Sequence, residues 1–339
     1  MDLFINMPNV DNNIIYKDKN MDIDTQQQPI IGISACVMGE SVRFDTSHKK
    51  SDFCMRDFGK HVSYEGVCPE MAIGMGTPRK PIRQIARPQG IVVSYPDGEG
   101  DVTQALQTFS DKKSQDMSHL SGFIFCKKSP SCGMERVKVY YEHGKGCEYN
   151  GIGVFARTVM ENNPLLPCEE DGRLNDMKLR ENFIIRVFTY RAWQDMVATG
   201  VTKHKLTTFH SKYKYLVMSH HLESYKALGK LLGQSALPVE ELANEYIAGL
   251  MKALAHMANR KSHANTLFHL QGYFKKVLDK VQKAELVEQI EAYRQGLIPL
   301  LVPLTLINHY LRASNDQQYL ASQVYLSPYP DDLKLRYGY

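Results

Sequence analysis

Ile30-Ile31-Gly32-Ile33-Ser34-Ala35-Cys36 is a short apolar run without alternation that stops at a cysteine. A run of that kind marks a strand buried on both faces, as in a parallel sheet. Similar units follow it. A helical stretch near 51–60 leads to a strand near 62–67, which ends at Cys68-Pro69-Glu70. Gly90–Ser94 reads as another strand, and Asp101 caps a helix that opens near Thr103. Gly122–Phe125 is the next apolar strand and runs toward Ser129-Pro130-Ser131-Cys132-Gly133, after which 151–162 reads as a helix. Strands alternating with helices predict an α/β domain with a mostly parallel sheet. Ligands bind such sheets beyond the carboxyl ends of the strands. Cys36, Cys68 and Cys132 each stand at or just after such an end, so three thiols can converge there.

The second half reads differently. Around 183–202, with Gly200, the chain looks like a join, and beyond it only helical signals occur. Pro238 stands where a helix can begin. Leu242, Tyr246, Gly249, Leu250, Ala253, Leu254 and Met257 then share one helical face. The stretches 267–281 and 300–312 are further helices, and Gly296 is a stop signal after 285–295. An α/β domain over 30–192 followed by an all-α domain over 200–339 suits a chain of 339 residues. Residues 1–29, rich in Asn, Asp and Gln, read as a disordered leader without signal-peptide character. No apolar run is long enough for a membrane span, and the expectation is a cytoplasmic protein.

Thiols and charge are divided between the halves. All seven cysteines lie at or before Cys168, and an odd number spread so widely argues against a disulfide framework. From residue 195 onward there are 17 Lys and Arg against 12 Asp and Glu, and before it 24 against 25. One half carries the thiols and the other the positive charge, which suggests separate jobs for chemistry and for holding a polyanion.

Thirty-two residues separate Cys36 from Cys68 and sixty-four separate Cys68 from Cys132, so there is no compact pair of the zinc-ribbon kind. Three thiolates without an obvious fourth would leave one iron of a cubane cluster open. Plain core cysteines explain the same residues equally simply. Taken in order, however, the surrounding words narrow the choice: Ser34-Ala35-Cys36-Val37-Met38-Gly39 with Arg43-Phe44-Asp45, Val67-Cys68-Pro69-Glu70, Thr77-Pro78-Arg79-Lys80-Pro81, Ser129-Pro130-Ser131-Cys132-Gly133 and Gly151-Ile152-Gly153-Val154-Phe155-Ala156. This series resembles the TudS-type thiouracil desulfidase domain. Phe44 stands where that family usually has Tyr, and Thr46 where it usually has Gly. Farther on, Phe209-His210-Ser211-Lys212-Tyr213-Lys214-Tyr215, Gln271-Gly272-Tyr273-Phe274-Lys275, Leu301-Val302-Pro303-Leu304-Thr305 and 323–330 resemble the YbgA-type helical domain. The two in tandem are similar to the RudS proteins, which remove sulfur from 4-thiouridine in tRNA.

The resemblance implies a 4Fe–4S cluster held by Cys36, Cys68 and Cys132. It also implies non-redox replacement of C=S by C=O with release of sulfide, and tRNA carrying 4-thiouridine as the partner. Glu70 is the first candidate for moving the proton, and a carboxylate at a helix N-terminus is the plainer explanation for it. Ser129 and Ser131 can hydrogen-bond substrate or cluster sulfur, or simply form the turn. Asp45 with Arg43 can position the base or form a structural ion pair. The expected RNA contacts are Lys212, Lys214, Arg260, Lys261 and Lys275, with Tyr213, Tyr215, Tyr273 and Phe274 available to stack on bases. Cys54, Cys126, Cys147 and Cys168 read as core or surface thiols. Two alternatives remain: desulfidation of free thiouracil, and a non-catalytic nucleic-acid-binding protein with zinc on the three cysteines.

Overall fold

The computed structural model describes residues 28–97, 100–142, 145–234, 236–313 and 318–336. The expected leader lies outside them except for Gln28 and Pro29. Four strands, β1 (Ile30–Ser34), β2 (Ser63–Val67), β5 (Gly122–Phe125) and β8 (Cys168–Glu170), form an all-parallel sheet in the order β2-β1-β5-β8. β1 is central, with Ile31 and Ile33 at 0% exposure, which is why its sequence shows no alternation. A second sheet, which the sequence reading did not separate, has the order β4-β3-β6-β7. It is built from β3 (Arg83–Arg87), β4 (Gly90–Ser94), β6 (Val137–Tyr141) and β7 (Cys147–Gly151). β4 is antiparallel to β3 and β7 to β6, so Gly90–Ser94 does not belong to the parallel sheet.

Short helices α1 (Ala35–Met38) and α2 (Pro69–Ala72) follow β1 and β2 directly. Gly39 closes α1 at φ 110°, a left-handed conformation that glycine adopts without penalty. α3 (Thr103–Ser114) opens with Asp101 accepting from the Thr103 N–H at 2.8 Å, and α4 (Val154–Asn162) follows β7. The expected helix near 51–60 is a π-helical turn, Phe53–Asp57, continued by a 3-10 turn, Phe58–Lys60.

The stretch read as a join is instead a 22-residue helix, α5 (Met177–Ala198), capped by the Asp176 carboxylate on the Lys178 and Leu179 N–H groups. Phe183, Ile184, Val187 and Trp193 are all buried along it, so it has apolar contacts on more than one side and carries no single stripe. Gly200, at φ 81°, lies just after it. Trp193 packs its ring 5.5 Å from Phe209 and 5.8 Å from Tyr246, and one continuous hydrophobic core joins the sheet half to the helical half.

The helical half contains α6 (Lys203–His220), α7 (Leu222–Gln234), α8 (Val239–Ala255), α9 (Arg260–Gln271), α10 (Lys280–Gln295), α11 (Leu301–Ala313) and the short α12 (Gln318–Ala321). Pro238 caps α8, and the face from Leu242 to Leu254 packs inward. Met257 lies past the end of that helix and is exposed. The expected helix over 267–281 spans a break, because Asn259 and Asp279 each form a capping box, with Ser262 and Gln282 respectively. Gly296 ends α10 at φ 84°. Among the described residues no helix is long and apolar enough to cross a membrane.

Candidate metal centre and active site

Each functional side chain is placed by a strand end. β1 delivers Cys36, β2 delivers Cys68, and the loop after β5 delivers Cys132. All three line a cavity of about 220 Å³ at this rim. A fourth thiol, Cys126, lines it as well. That residue directly follows β5, is 3% exposed, and its thiol donates to the Lys127 carbonyl at 3.8 Å. The expectation of a bystander core thiol is therefore incomplete: Cys126 is buried, and it belongs to the site.

The loop bearing Cys132 is tightly specified. The Ser129 hydroxyl accepts from the Cys132 N–H at 3.1 Å, and the Gly133 N–H donates to the Ser129 carbonyl at 2.8 Å. The Phe155 N–H, in the first turn of α4, donates to the Ser131 carbonyl at 2.9 Å. A Cβ on Gly153 would lie 2.5 Å from that carbonyl, so only glycine lets the strand-to-helix corner approach so closely. The buried Glu170 carboxylate supports the far side, accepting from the Met134 N–H at 2.7 Å. Glu170 on β8 carried no signal in the sequence.

Glu70 sits in the first turn of α2 and divides its two oxygens between partners. Arg79 donates through Nε at 3.1 Å, and again through Nη2, to Oε2, while the buried Ser131 hydroxyl donates to Oε1 at 2.7 Å. The Ser131 hydroxyl also lies 3.0 Å from that of Ser129 and 3.8 Å from the Cys132 sulfur. Glu70, Ser129, Ser131 and Arg79 all line the cavity. Arg79, part of the quoted Thr77–Pro81 word, was not singled out from the sequence. Its side chain is 5% exposed and also binds the carbonyls of Gly76 and Val42. Ser131 therefore makes the contact with the carboxylate, whereas Ser129 also holds the turn.

Asp45 forms the ion pair with Arg43 that was one of its two expected roles. Its carboxylate accepts from the Ser47 hydroxyl and N–H and faces Arg43 at 3.6 Å. Its side chain is 46% exposed, and it is not among the residues lining the cavity. The Ser47 hydroxyl, with lesser help from Arg43, holds its carboxyl below the ordinary value. Arg43 and Phe44 do line the cavity. Thr46 takes φ 61°, the left-handed conformation for which glycine is better suited.

Soft thiols are the ligands of iron–sulfur clusters and zinc. Burial pushes the Cys132 and Cys68 thiols above their ordinary value; for Cys36 the hydrogen bond to Cys126 comes first and burial second. Arg43, Lys49, Arg79 and Lys128 line the same cavity and favour the thiolate form, against the burial that opposes it. Among the described residues no three His, Cys, Asp or Glu groups are close enough to hold a single metal ion. Cys36, Cys68 and Cys132 line one cavity, and thiols are the donors that a 4Fe–4S cluster takes.

In the helical half the expected stacking aromatics are mostly core. Tyr213 and Tyr215 are 5% exposed and Phe274 is 0%, so burial removes them from any RNA surface, and Tyr273 alone of the four is half-buried. Lys212, Lys261 and Lys275 are exposed. Arg260 is exposed too, but it donates to the Tyr293 carbonyl at 3.3 Å and lies over the Tyr293 ring. Lys214 is half-buried over Tyr215 and Tyr319 and lines a second, more open cavity with His210, Tyr225 and Lys226.

Two family models match separate stretches of the chain. Residues 31–171 match the 2-thiouracil desulfurase family, and residues 214–330 match a family described as protein of unknown function (DUF1722). The uncharacterized protein YbgA of Escherichia coli (strain K12) is 30% identical over 167 residues, which cover 49% of this chain and 98% of YbgA. The solved structure of the [4Fe-4S]-dependent thiouracil desulfidase TudS is similar at 21% identity and a TM-score of 0.36, over 47% of this chain and 100% of that one. The chain belongs to the YbgA family, and its residues 31–171, which match the 2-thiouracil desulfurase family, make the protein a desulfidase.

Proposed function

We propose that the protein converts 4-thiouridine in tRNA to uridine, with Cys36, Cys68 and Cys132 holding a 4Fe–4S cluster. The observation that carries this reading is the meeting of these three thiols with the Glu70–Ser131 pair in one cavity. When bound, the cluster would supply a Lewis-acidic iron for the thiocarbonyl sulfur. The overall change is C=S plus water giving C=O plus hydrogen sulfide, with no net transfer of electrons.

The protein's own part is to hold and move a proton. Oε2 of Glu70 is taken by Arg79, so proton exchange falls to Oε1, which the Ser131 hydroxyl faces at 2.7 Å. Glu70 takes a proton from the attacking water, with Ser131 as relay or orienting donor, and returns it to the departing sulfur. Burial of Ser131 and Cys132 keeps bulk water from this exchange. Ser129 holds the turn.

The tRNA half of the reading is supported by the excess of positive charge after residue 195 and by the exposed Lys212, Lys261 and Lys275. A thiolated nucleotide would leave its stack to reach the cavity. The test is anaerobic reconstitution, incubation with thiolated tRNA, and digestion to nucleosides. Loss of 4-thiouridine with gain of uridine is expected. Persistence of 4-thiouridine alongside consumption of free thiouracil would assign the small base as substrate instead.

A further inference from the structure

We propose that Phe44 is the face on which the thiolated pyrimidine ring stacks, and that Arg79 fixes this face relative to Glu70. The proposal rests on the desulfidase reading above. Among the described residues lining the cavity, Phe44 is the only aromatic, and it is 36% exposed in a protein whose other phenylalanines are mostly core. A partly exposed aromatic ring lining a cavity gains from a planar, conjugated partner.

The ring is held before any ligand arrives. The Arg43 guanidinium lies 5.5 Å from its centroid and is itself tied to the Ser47 hydroxyl at 3.0 Å. The Phe44 carbonyl accepts from the Arg79 N–H at 2.9 Å, and the Val42 carbonyl accepts from Arg79 Nη2 at 3.0 Å. The same guanidinium holds Oε2 of Glu70. One buried arginine thus spans the stacking lip and the proton-handling carboxylate, and pre-organisation of both lowers the ordering cost of binding. Asp45 acts on this lip through Arg43 and Ser47, which gives it a positioning role outside the cavity.

The test uses the cluster-loaded full chain and two readouts: steady-state desulfidation of 2-thiouracil, and equilibrium binding of uracil, which cannot turn over. Phe44→Leu keeps apolar volume and removes the π-face. Uracil Kd and 2-thiouracil KM are expected to rise roughly ten- to a hundredfold, the usual worth of one stacked base, while kcat changes far less. Phe44→Tyr restores both, and Phe44→Trp binds uracil at least as tightly as the parent. Iron content of each variant shows whether the site has assembled. If Phe44→Leu loads iron and keeps the parent Kd and KM, stacking is overturned while the desulfidase reading stands. If Phe44→Leu does not assemble, Phe44→Trp decides, and weakened uracil binding there overturns the proposal. An iron-loaded parent that consumes no thiolated substrate at all overturns the reading on which it rests.

Discussion

Replacing Glu70 by glutamine isolates proton transfer from the architecture around it. The carboxamide keeps the side chain's shape and one acceptor, but it cannot carry a proton between water and sulfur. General acid–base groups contribute roughly 10²–10⁴-fold in rate, which is about 3–5 kcal/mol of barrier at 1.36 kcal/mol per decade. The structural cost is smaller. Arg79, 5% exposed, loses its counter-charge but retains the Val42 and Gly76 carbonyls as acceptors. The loss is therefore set at about 1–3 kcal/mol, that of a charged hydrogen bond, and not the full penalty of an orphaned buried charge. The assay is sulfide release from 2-thiouracil, with iron counted on the same sample and the urea midpoint measured alongside. Glu70→Gln is expected to keep its iron, show a modestly lower midpoint, hold KM, and lose at least a hundredfold in kcat. A fully loaded variant with kcat within about threefold of the parent would refute the role, since no interaction specific to the transition state would then have been removed.

Ser131→Ala, which removes the hydroxyl on Oε1, should lower kcat with iron retained, whereas Ser129→Ala should chiefly loosen the turn at Cys132 and lower iron retention; the same pair of measurements separates them, and an inverted pattern would exchange the two assignments. Gly153→Ala places a Cβ 2.5 Å from the Ser131 carbonyl. A cost of about 1–3 kcal/mol is expected from this overpacking, read as a lower urea midpoint together with weaker iron retention. Burial pushes His220 down to about 4 and leaves its Nε2 without a partner. The unfolded imidazole takes up its proton near pH 6.5 while the native one refuses it until about pH 4. Stability is therefore intact above pH 6.5 and falls on acidification between those values, by roughly 3 kcal/mol from this residue. Urea unfolding across that window should show a shallower fall in His220→Asn than in the parent, and equal slopes would contradict the assignment.

The parallel sheet was legible because β1 and β5 are buried on both faces and show it as unbroken apolar runs. Ligands beyond strand ends then followed from chain order, and Cys36 and Cys68 fell in place. Other features were not legible. β6 alternates buried and exposed residues over only five positions, and β8 is the three-residue Cys168–Glu170, so neither presents a clear pattern. Helix α5 lacks a single apolar stripe because it is buried along several sides, and its Asp176 cap was the available signal. Cys126 lies outside the recurring words and reaches the site only because β5 ends beside β1. The pairing of Ser131, and not Ser129, with Glu70 depends on the loop geometry that Gly153 permits, which spacing along the chain does not encode. Tyr213, Tyr215 and Phe274 share their sequence neighbourhood with basic residues, yet helical periodicity turns them into the core.

The central claim is that three thiolates hold the cluster and leave an iron open to sulfur, although a fourth thiol lines the same cavity. Counting iron and acid-labile sulfide in anaerobically prepared Cys36→Ser, Cys68→Ser, Cys132→Ser and Cys126→Ser tests it most directly. Cys126→Ser is predicted to keep about four irons and four sulfides per chain, while each of the other three loses them. Loss of the cluster in Cys126→Ser on the same scale, or stoichiometric zinc in the parent, would mean a closed cage or a structural metal and would contradict the account.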